Sequence, residues 1–221
     1  MSDERRLGTH RSSRLADGVR RFVDVTVALG VLVLGAPVLV VIAVLIRLKL
    51  GSPVLFRQRR LGMAGRPFEL VKFRSMRDPT PGRDGPEFDA ERLPPFGTLI
   101  RATSLDELPS MLNLLRGDIT LVGPRPLPTS YWDRYRGDEY ERFLVKPGFT
   151  GLAQINGRNT VDWDERLAFD VQYVRNRSLL GDLRIVLATV PMVLKRSGVD
   201  HAEGVTMHAL PESRPQRDSS E

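Results

Sequence analysis

Val25 to Ile46 is a run of 22 residues without a charge, near the start of a 221-residue chain. Nothing else in the sequence restricts the fold as tightly. As one straight helix it would measure about 33 Å at ~1.5 Å per residue, enough to cross a bilayer. Pro37 stands in its middle, where it removes a helical hydrogen bond and kinks the chain. Basic residues flank both ends: Arg5, Arg6, Arg11, Arg14, Arg20 and Arg21 before, Arg47, Lys49, Arg57, Arg59 and Arg60 after. Positive charge favours the cytoplasmic side of a membrane. A crossing helix would carry one cluster to the far side. A helix bent at Ala36-Pro37 and returning to the same leaflet keeps both clusters on one side. The re-entrant form is the expectation, and a plain single-pass anchor is the alternative. Arg47 and Lys49 occupy the place of a small-residue cleavage site, which disfavours a cleaved signal.

The rest of the chain supports one small domain. Lys and Arg exceed Asp and Glu by 33 to 27, a net charge of +6, which points to anionic partners. Nucleic acid is disfavoured. The 27 acidic residues interrupt any basic stripe, and the aromatics do not interleave with it as a stacking platform would. Cysteine is absent, so no disulfide or thiolate metal site exists. Val54 to Phe56 and Phe68 to Phe73 read as strands around the turn Gly62 to Pro67, a β-hairpin. Asp78 to Pro95 holds five prolines and reads as a surface loop. Apolar residues at 105, 108, 112 and 115 predict a helix. Tyr131 to Phe143 reads as a helix bringing Trp132, Tyr135 and Phe143 near one face. A short strand is expected near Ala153 to Ile155. Asp164 to Tyr173 reads as a helix, and Asp182 as the cap of a last helix, Leu183 to Lys195. That helix is apolar nearly all round, contains Pro191, and is expected to be buried or interfacial.

The chemistry concentrates in Thr103-Ser104-Leu105-Asp106-Glu107-Leu108-Pro109. Ser104 and Glu107 have capping-box spacing, so a helix start is expected there, and a helix start suits a phosphate. Asp106 is then a candidate nucleophile or metal ligand and Glu107 a candidate base. Arg101 and Arg125 are candidate phosphate clamps, with Lys72 and Arg74 as alternate residues of one strand. Asn156 and Arg158 lie in a Gly-rich loop able to touch nucleotide or sugar. On spacing alone, capping and dipole compensation explain the acidic pair better than catalysis does, since acidic first turns are common. Gly148, Gly151 and Gly157 lack the spacing of a dinucleotide fingerprint.

Seven segments in order resemble the bacterial sugar transferase family, the monotopic phosphoglycosyl transferases. They are Lys72 to Met76, Thr103 to Pro109, Gly117 to Ile119, Leu121 to Pro126, Lys146 to Gly151, Gln154 to Arg158 and Tyr173 to Leu183. The resemblance covers roughly residues 20–200. It implies a helix-rich α/β (α+β) fold with a re-entrant, proline-kinked helix. It also implies transfer of a sugar-1-phosphate from a UDP-sugar to undecaprenyl phosphate, releasing UMP. Asp106 would form the covalent phosphosugar intermediate, and Glu107 would assist the lipid phosphate. Mg²⁺ is expected on Asp106 and the diphosphate. The compact length leans toward an N-acetylated amino sugar. The expected location is the bacterial inner membrane, with the catalytic domain on the cytoplasmic face. The division that follows is a flexible basic arm (1–20), a membrane helix (21–50), a catalytic domain (51–200) and a polar, disordered tail (201–221). A non-catalytic membrane-anchored scaffold or anion-binding module is the competing reading.

Overall fold

The computed structural model describes residues 13–82, 88–156, 162–194 and 210–212. The uncharged run forms two helices. Helix α1 spans Arg14–Leu34 and α2 spans Ala36–Lys49, bent by 64° from each other. Gly35 makes the joint: its N–H donates to the Val31 carbonyl, and its own carbonyl accepts from Leu39. Pro37 falls in the first turn of α2, where a missing N–H costs little because the first helical N–H groups lack partners anyway. The expected kink is therefore present, displaced from Pro37 to the glycine before it. Neither helix alone is long and apolar enough to cross a membrane. Helix α1 begins inside the stretch expected as an arm, so residues from Arg14 onward are ordered helix.

Arg20, Asp24 and Ala28 form the buried face of α1, spaced one helical turn apart. Arg21 reaches across to the Leu114 and Leu115 carbonyls. Asp24 accepts from Thr120 Oγ1 at 2.9 Å and from the Leu121 N–H at 2.7 Å. The Arg20 Nε donates to Asp182 at 2.7 Å, and Tyr173 donates to the same carboxylate at 2.7 Å. These partners satisfy polar groups that would be costly to bury alone. The other side of the bent pair stays apolar and exposed, with Phe22, Leu29, Val33, Val40, Val41 and Leu48.

Strands β1 (Leu55–Leu61) and β2 (Pro67–Phe73) form the expected hairpin, paired from Leu55↔Phe73 to Leu61↔Pro67. β1 runs five residues beyond the expected Phe56. The outer edge of β2 is covered by two side chains. Asn113 accepts from the Val71 N–H and donates to the Glu69 carbonyl, and Ser110 donates to the Val71 carbonyl. Both are almost fully buried, so the strand edge is paired rather than open.

The segment from Leu93 to Gly117 differs from expectation. Part of the expected loop is helical: α3 spans Asp89–Arg92 and α4 spans Pro95–Ala102. Leu105–Ser110 is a 3₁₀ turn, followed by the short helix α5, Met111–Arg116. Ser104 sits in the left-handed region at φ 55°, whereas a capping residue needs extended backbone, so the capping box does not form. Pro109 lacks the N–H that a longer helix would require. The helix-start phosphate seat expected at Ser104 is therefore absent.

Strands β3 (Thr120–Val122) and β4 (Gly148–Thr150) form a second, parallel pair. Gly148 permits this approach: a Cβ there would lie 2.0 Å from the Gly123 N. Tyr131 to Phe143 is not one helix but two 3₁₀ segments, Thr129–Arg134 and Gly137–Leu144. The three aromatics still converge, because the break at Tyr135 folds the segments onto one another: Trp132 and Tyr135 each lie about 5 Å from Phe143. The strand expected at Ala153 to Ile155 is instead helix α6, Leu152–Ile155. Helix α7 (Trp163–Arg175) is capped by Asp162, whose carboxylate accepts from the Glu165 N–H. Helix α8 spans Leu179–Leu194, starting before Asp182, so Asp182 is a first-turn residue and not its cap. It exposes Leu180, Leu183, Leu187 and Val190. Of the tail expected to be disordered, residues 210–212 are described and are anchored. Leu210 is fully buried in the aromatic cluster, and Arg134 donates to its carbonyl and pairs with Glu212.

Candidate active site

The 3₁₀ turn Leu105–Ser110 lies along β2 and carries both acidic candidates. Lys72, near the end of β2, places Nζ 2.6 Å from Glu107 Oε1. Arg125 reaches the same oxygen at 2.8 Å from the Gly123-Pro124-Arg125-Pro126 turn. That turn is held by two backbone bonds, Gly123 N–H to the Thr150 carbonyl and Gly148 N–H to the Pro124 carbonyl. Arg142 fixes it further by donating to the Arg125 carbonyl at 2.7 Å. Burial alone would raise the Glu107 carboxyl. The Lys72 and Arg125 charges overcome that and hold it well below the usual carboxylate range.

Asp106 is treated in the opposite way. Burial raises its carboxyl and the adjacent Glu107 charge adds to this, while Lys72, Arg101 and Arg125 pull it back. The result is a carboxyl pushed up to about 6. It makes no hydrogen bond or ion pair among the described residues, while its neighbour has two. Arg101, near the end of α4, faces the pair from another side, its Nε fixed by Ser75 Oγ at 2.8 Å. Burial lowers its pKa, and the Asp106 charge opposes that.

Four of the expected residues thus meet at one place with Asp106: Glu107, Lys72, Arg125 and Arg101. Arg74 does not join them. It is buried and spends its donors on the Met76 and Ser52 carbonyls and on Asp78, so it ties the exit of β2 to the loop before β1. Strand alternation misled here, because β2 ends at Phe73 and Arg74 no longer follows its pleat. Asn156 is exposed at the end of α6, with its amide on the Leu152 carbonyl. Arg158 lies outside the described residues.

A small cleft opens beside Glu107, lined by Arg60, Lys72, Ser110, Arg125 and Phe149 among others. Arg60 is the residue that sequence reading assigned to the wrong group, as one more charge flanking the membrane segment. Pairing in the hairpin could have found it: Arg60 and Gln58 alternate along β1 opposite Phe68 and Leu70, on the face that Lys72 shares. Ser75, Ser110, Asn113, Arg142 and Asp170 carry no such signal. They act by holding other groups in place.

A carboxylate with a free face, beside one locked under two cations, is a site for chemistry on phosphate groups. The chain belongs to the bacterial sugar transferase family, whose model matches residues 15–196, and is an enzyme, a phosphoglycosyl transferase. It is 44% identical over 188 residues to an uncharacterized sugar transferase, EpsL, of Bacillus subtilis, covering 85% of this chain and 93% of that one. It is 43% identical over 185 residues to the UDP-glucose:undecaprenyl-phosphate glucose-1-phosphate transferase of Caulobacter vibrioides, covering 79% of this chain and 69% of that protein. The undecaprenyl-phosphate galactose phosphotransferase of Salmonella typhimurium is 36% identical over 205 residues. That match covers 85% of this chain and spans 42% of the relative's length.

Proposed function

We propose that this enzyme moves a sugar-1-phosphate from a UDP-sugar to undecaprenyl phosphate, at the opening step of a surface glycan. An Asp106 oxygen attacks the phosphorus that bears the sugar, and the bond to UMP breaks. An oxygen of undecaprenyl phosphate then attacks the same phosphorus, which frees Asp106 and leaves undecaprenyl-diphosphate-sugar. The observation that carries this reading is the asymmetry of the pair: among the described residues Asp106 makes no hydrogen bond or ion pair, while Glu107 is held by Lys72 and Arg125. A carboxylate that is poorly stabilised, yet ionised at neutral pH, is suited to attack. Arg101 and Arg125 stand where charge would gather on the transferring phosphate.

Mg²⁺ fits this arrangement. Among the described residues no cluster of three or more His, Cys, Asp or Glu could enclose a metal. Mg²⁺ commonly takes one or two carboxylates and completes its shell with substrate phosphate and water. Asp106 would hold it, and it would neutralise diphosphate charge. The exposed apolar faces of α1, α2 and α8 support association with lipid, and the 64° bend with basic flanks supports a re-entrant placement on the cytoplasmic face.

The test is UMP release by the detergent- or nanodisc-held protein with undecaprenyl phosphate, Mg²⁺ and a panel of UDP-sugars. UDP-glucose and UDP-galactose represent the hexoses named for the relatives, and UDP-N-acetylated amino sugars the expectation from sequence. Asp106→Asn should lose at least a thousand-fold in turnover, on the order of a removed nucleophile. Retained turnover in that variant would disprove the covalent step. No release with any sugar would favour the non-catalytic scaffold.

A further inference from the structure

The cleft beside Glu107 contains more positive charge than the carboxylate pair accounts for. Three cations line it, Arg60, Lys72 and Arg125, against the single carboxylate of Glu107. Lys72 and Arg125 both spend their charge on Glu107 Oε1. Among the described residues Arg60 forms no ion pair with a carboxylate, and it feels Glu107 only as a nearby charge. One terminal nitrogen donates to the Pro126 carbonyl at 3.2 Å and the other to Gln58 Oε1 at 2.5 Å. Its Nε is buried and has no acceptor. The Arg60 side chain is half-buried, and a cation drawn partly out of water without an ion pair does not recover its desolvation cost.

We infer that Arg60 is a third phosphate ligand, and that the anion completing this cleft is a phosphate oxygen of the substrate. The inference rests on the transferase reading and adds a residue to it. Three features support the role. The guanidinium is held from two sides, by the backbone at Pro126 and by Gln58, so little rotamer entropy remains to be lost on binding. It projects from a strand paired along its whole length with β2, which supplies Lys72, so the two cations have a fixed relation. Pro126 is the neighbour of Arg125 in the same turn, so one short segment positions both guanidinium groups. Burial and the Arg125 charge together push Arg60 down to about 10, which still leaves it fully charged at neutral pH. A bound phosphate would relieve both effects.

Phosphate oxygen can come from the diphosphate of the water-soluble donor or from the lipid phosphate of the acceptor. Binding of each is measured separately on the intact, detergent-held protein, by titration with UDP and with undecaprenyl phosphate. The variants are Arg60→Gln, Arg60→Lys and Arg57→Gln, the last an exposed residue of the same strand. Thermal melting confirms that each is folded, and Arg60→Lys retains the charge if the glutamine variant is too unstable. Arg60→Gln should weaken one of the two ligands about 10–100-fold, the range for loss of a charge-assisted hydrogen bond. Arg60→Lys should recover part of that, and Arg57→Gln should match the wild type. Weakening confined to UDP assigns the oxygen to the donor, and weakening confined to the lipid assigns it to the acceptor. Unchanged affinity for both in Arg60→Gln overturns the inference, as does a wild-type protein that binds neither. A wild type that binds UDP with loss in Arg60→Gln, yet releases no UMP, would sink the transfer reaction and leave the anion site standing.

Discussion

Two buried carboxylate–guanidinium clusters meet at Arg125, one at its side chain and one at its carbonyl. In the first, Asp170 accepts from Arg142 Nε at 3.1 Å and from a terminal nitrogen at 2.9 Å. The other terminal nitrogen donates to Tyr135 Oη at 3.0 Å, and the ring faces of Tyr135 and Phe143 lie against the guanidinium. Every guanidinium nitrogen donates, and both side chains are almost fully buried. In the second, Glu107 is satisfied twice over, while among the described residues the Asp106 carboxylate and the Arg60 Nε have no hydrogen-bond partner. The first cluster is closed and serves to hold the turn in place. The second is open, and its unmet polar groups are what a substrate can satisfy.

The largest expected effect lies in the closed cluster. Asp170→Ala leaves the Arg142 charge buried without a counter-charge and should cost about 3–5 kcal/mol, read as a fall in thermal or denaturant midpoint. Replacing both partners by apolar residues, Arg142→Met with Asp170→Leu, should recover most of that stability. If the double change is as damaging as the single one, the pair contributes packing rather than charge compensation.

In the open cluster, Glu107→Gln removes the charge that Lys72 and Arg125 share. The loss should be smaller, about 1–3 kcal/mol, because these groups are partly solvated and the amide oxygen can still accept. Because Glu107 titrates below its ordinary value, its contribution is present above the unfolded carboxyl range and fades as pH falls through that range. The stability gap between wild type and Glu107→Gln should therefore narrow toward pH 2. A gap independent of pH would mean that the charge is not what stabilises the turn.

Asp106→Asn should move stability the other way. The folded carboxyl titrates at about 6, above the 3.8 of the unfolded group, so the native state binds the proton more tightly. Its contribution is favourable below about pH 4 and is lost as pH rises through 6. Removing the charge should stabilise the protein by about 1–3 kcal/mol at pH 7.5 without divalent cation, and by much less at pH 4. Turnover of the wild type should rise through the same pH range as Asp106 ionises. A destabilised Asp106→Asn at pH 7.5 would show that the aspartate is held by contacts and not strained by its neighbour.

The contrast between the clusters also explains what could be read in the sequence. The hairpin, the bent apolar segment, α7 and the acidic pair were legible because each is a local pattern: short apolar runs around a turn, a proline in an apolar run, the helical spacing of Leu167, Val171 and Val174, adjacent carboxylates. Lys72, Arg101 and Arg125 were legible only as charges in recognisable segments. Their convergence on Glu107 and Asp106 depends on the fold. The 3₁₀ turn at Leu105 was not legible, since Ser104 and Glu107 have the spacing of a cap, and only the left-handed backbone at Ser104 denies it. Arg142 and Asp170 stand 28 residues apart, and no local pattern marks either. Leu210 looked like part of a polar tail because its cluster is assembled from distant aromatics.

The smallest effect belongs to an ion pair with neither burial nor a shared neighbour. Arg57 and Glu69 pair diagonally across the hairpin at 3.2 Å, with 62% and 55% of their side chains exposed. Water screens the pair, and holding two long side chains together costs rotamer entropy. A double-mutant cycle to alanine should give a coupling of about 0.2–1 kcal/mol that declines as salt is raised. The pair's N–O distance lies close to the 2.9 and 3.1 Å of Arg142–Asp170, so a much smaller coupling would point to burial and the number of bonds, not distance. A coupling as large as that of the closed cluster would break the comparison, because distance alone would then decide the energy and the open site would have no special use for its unpaired groups.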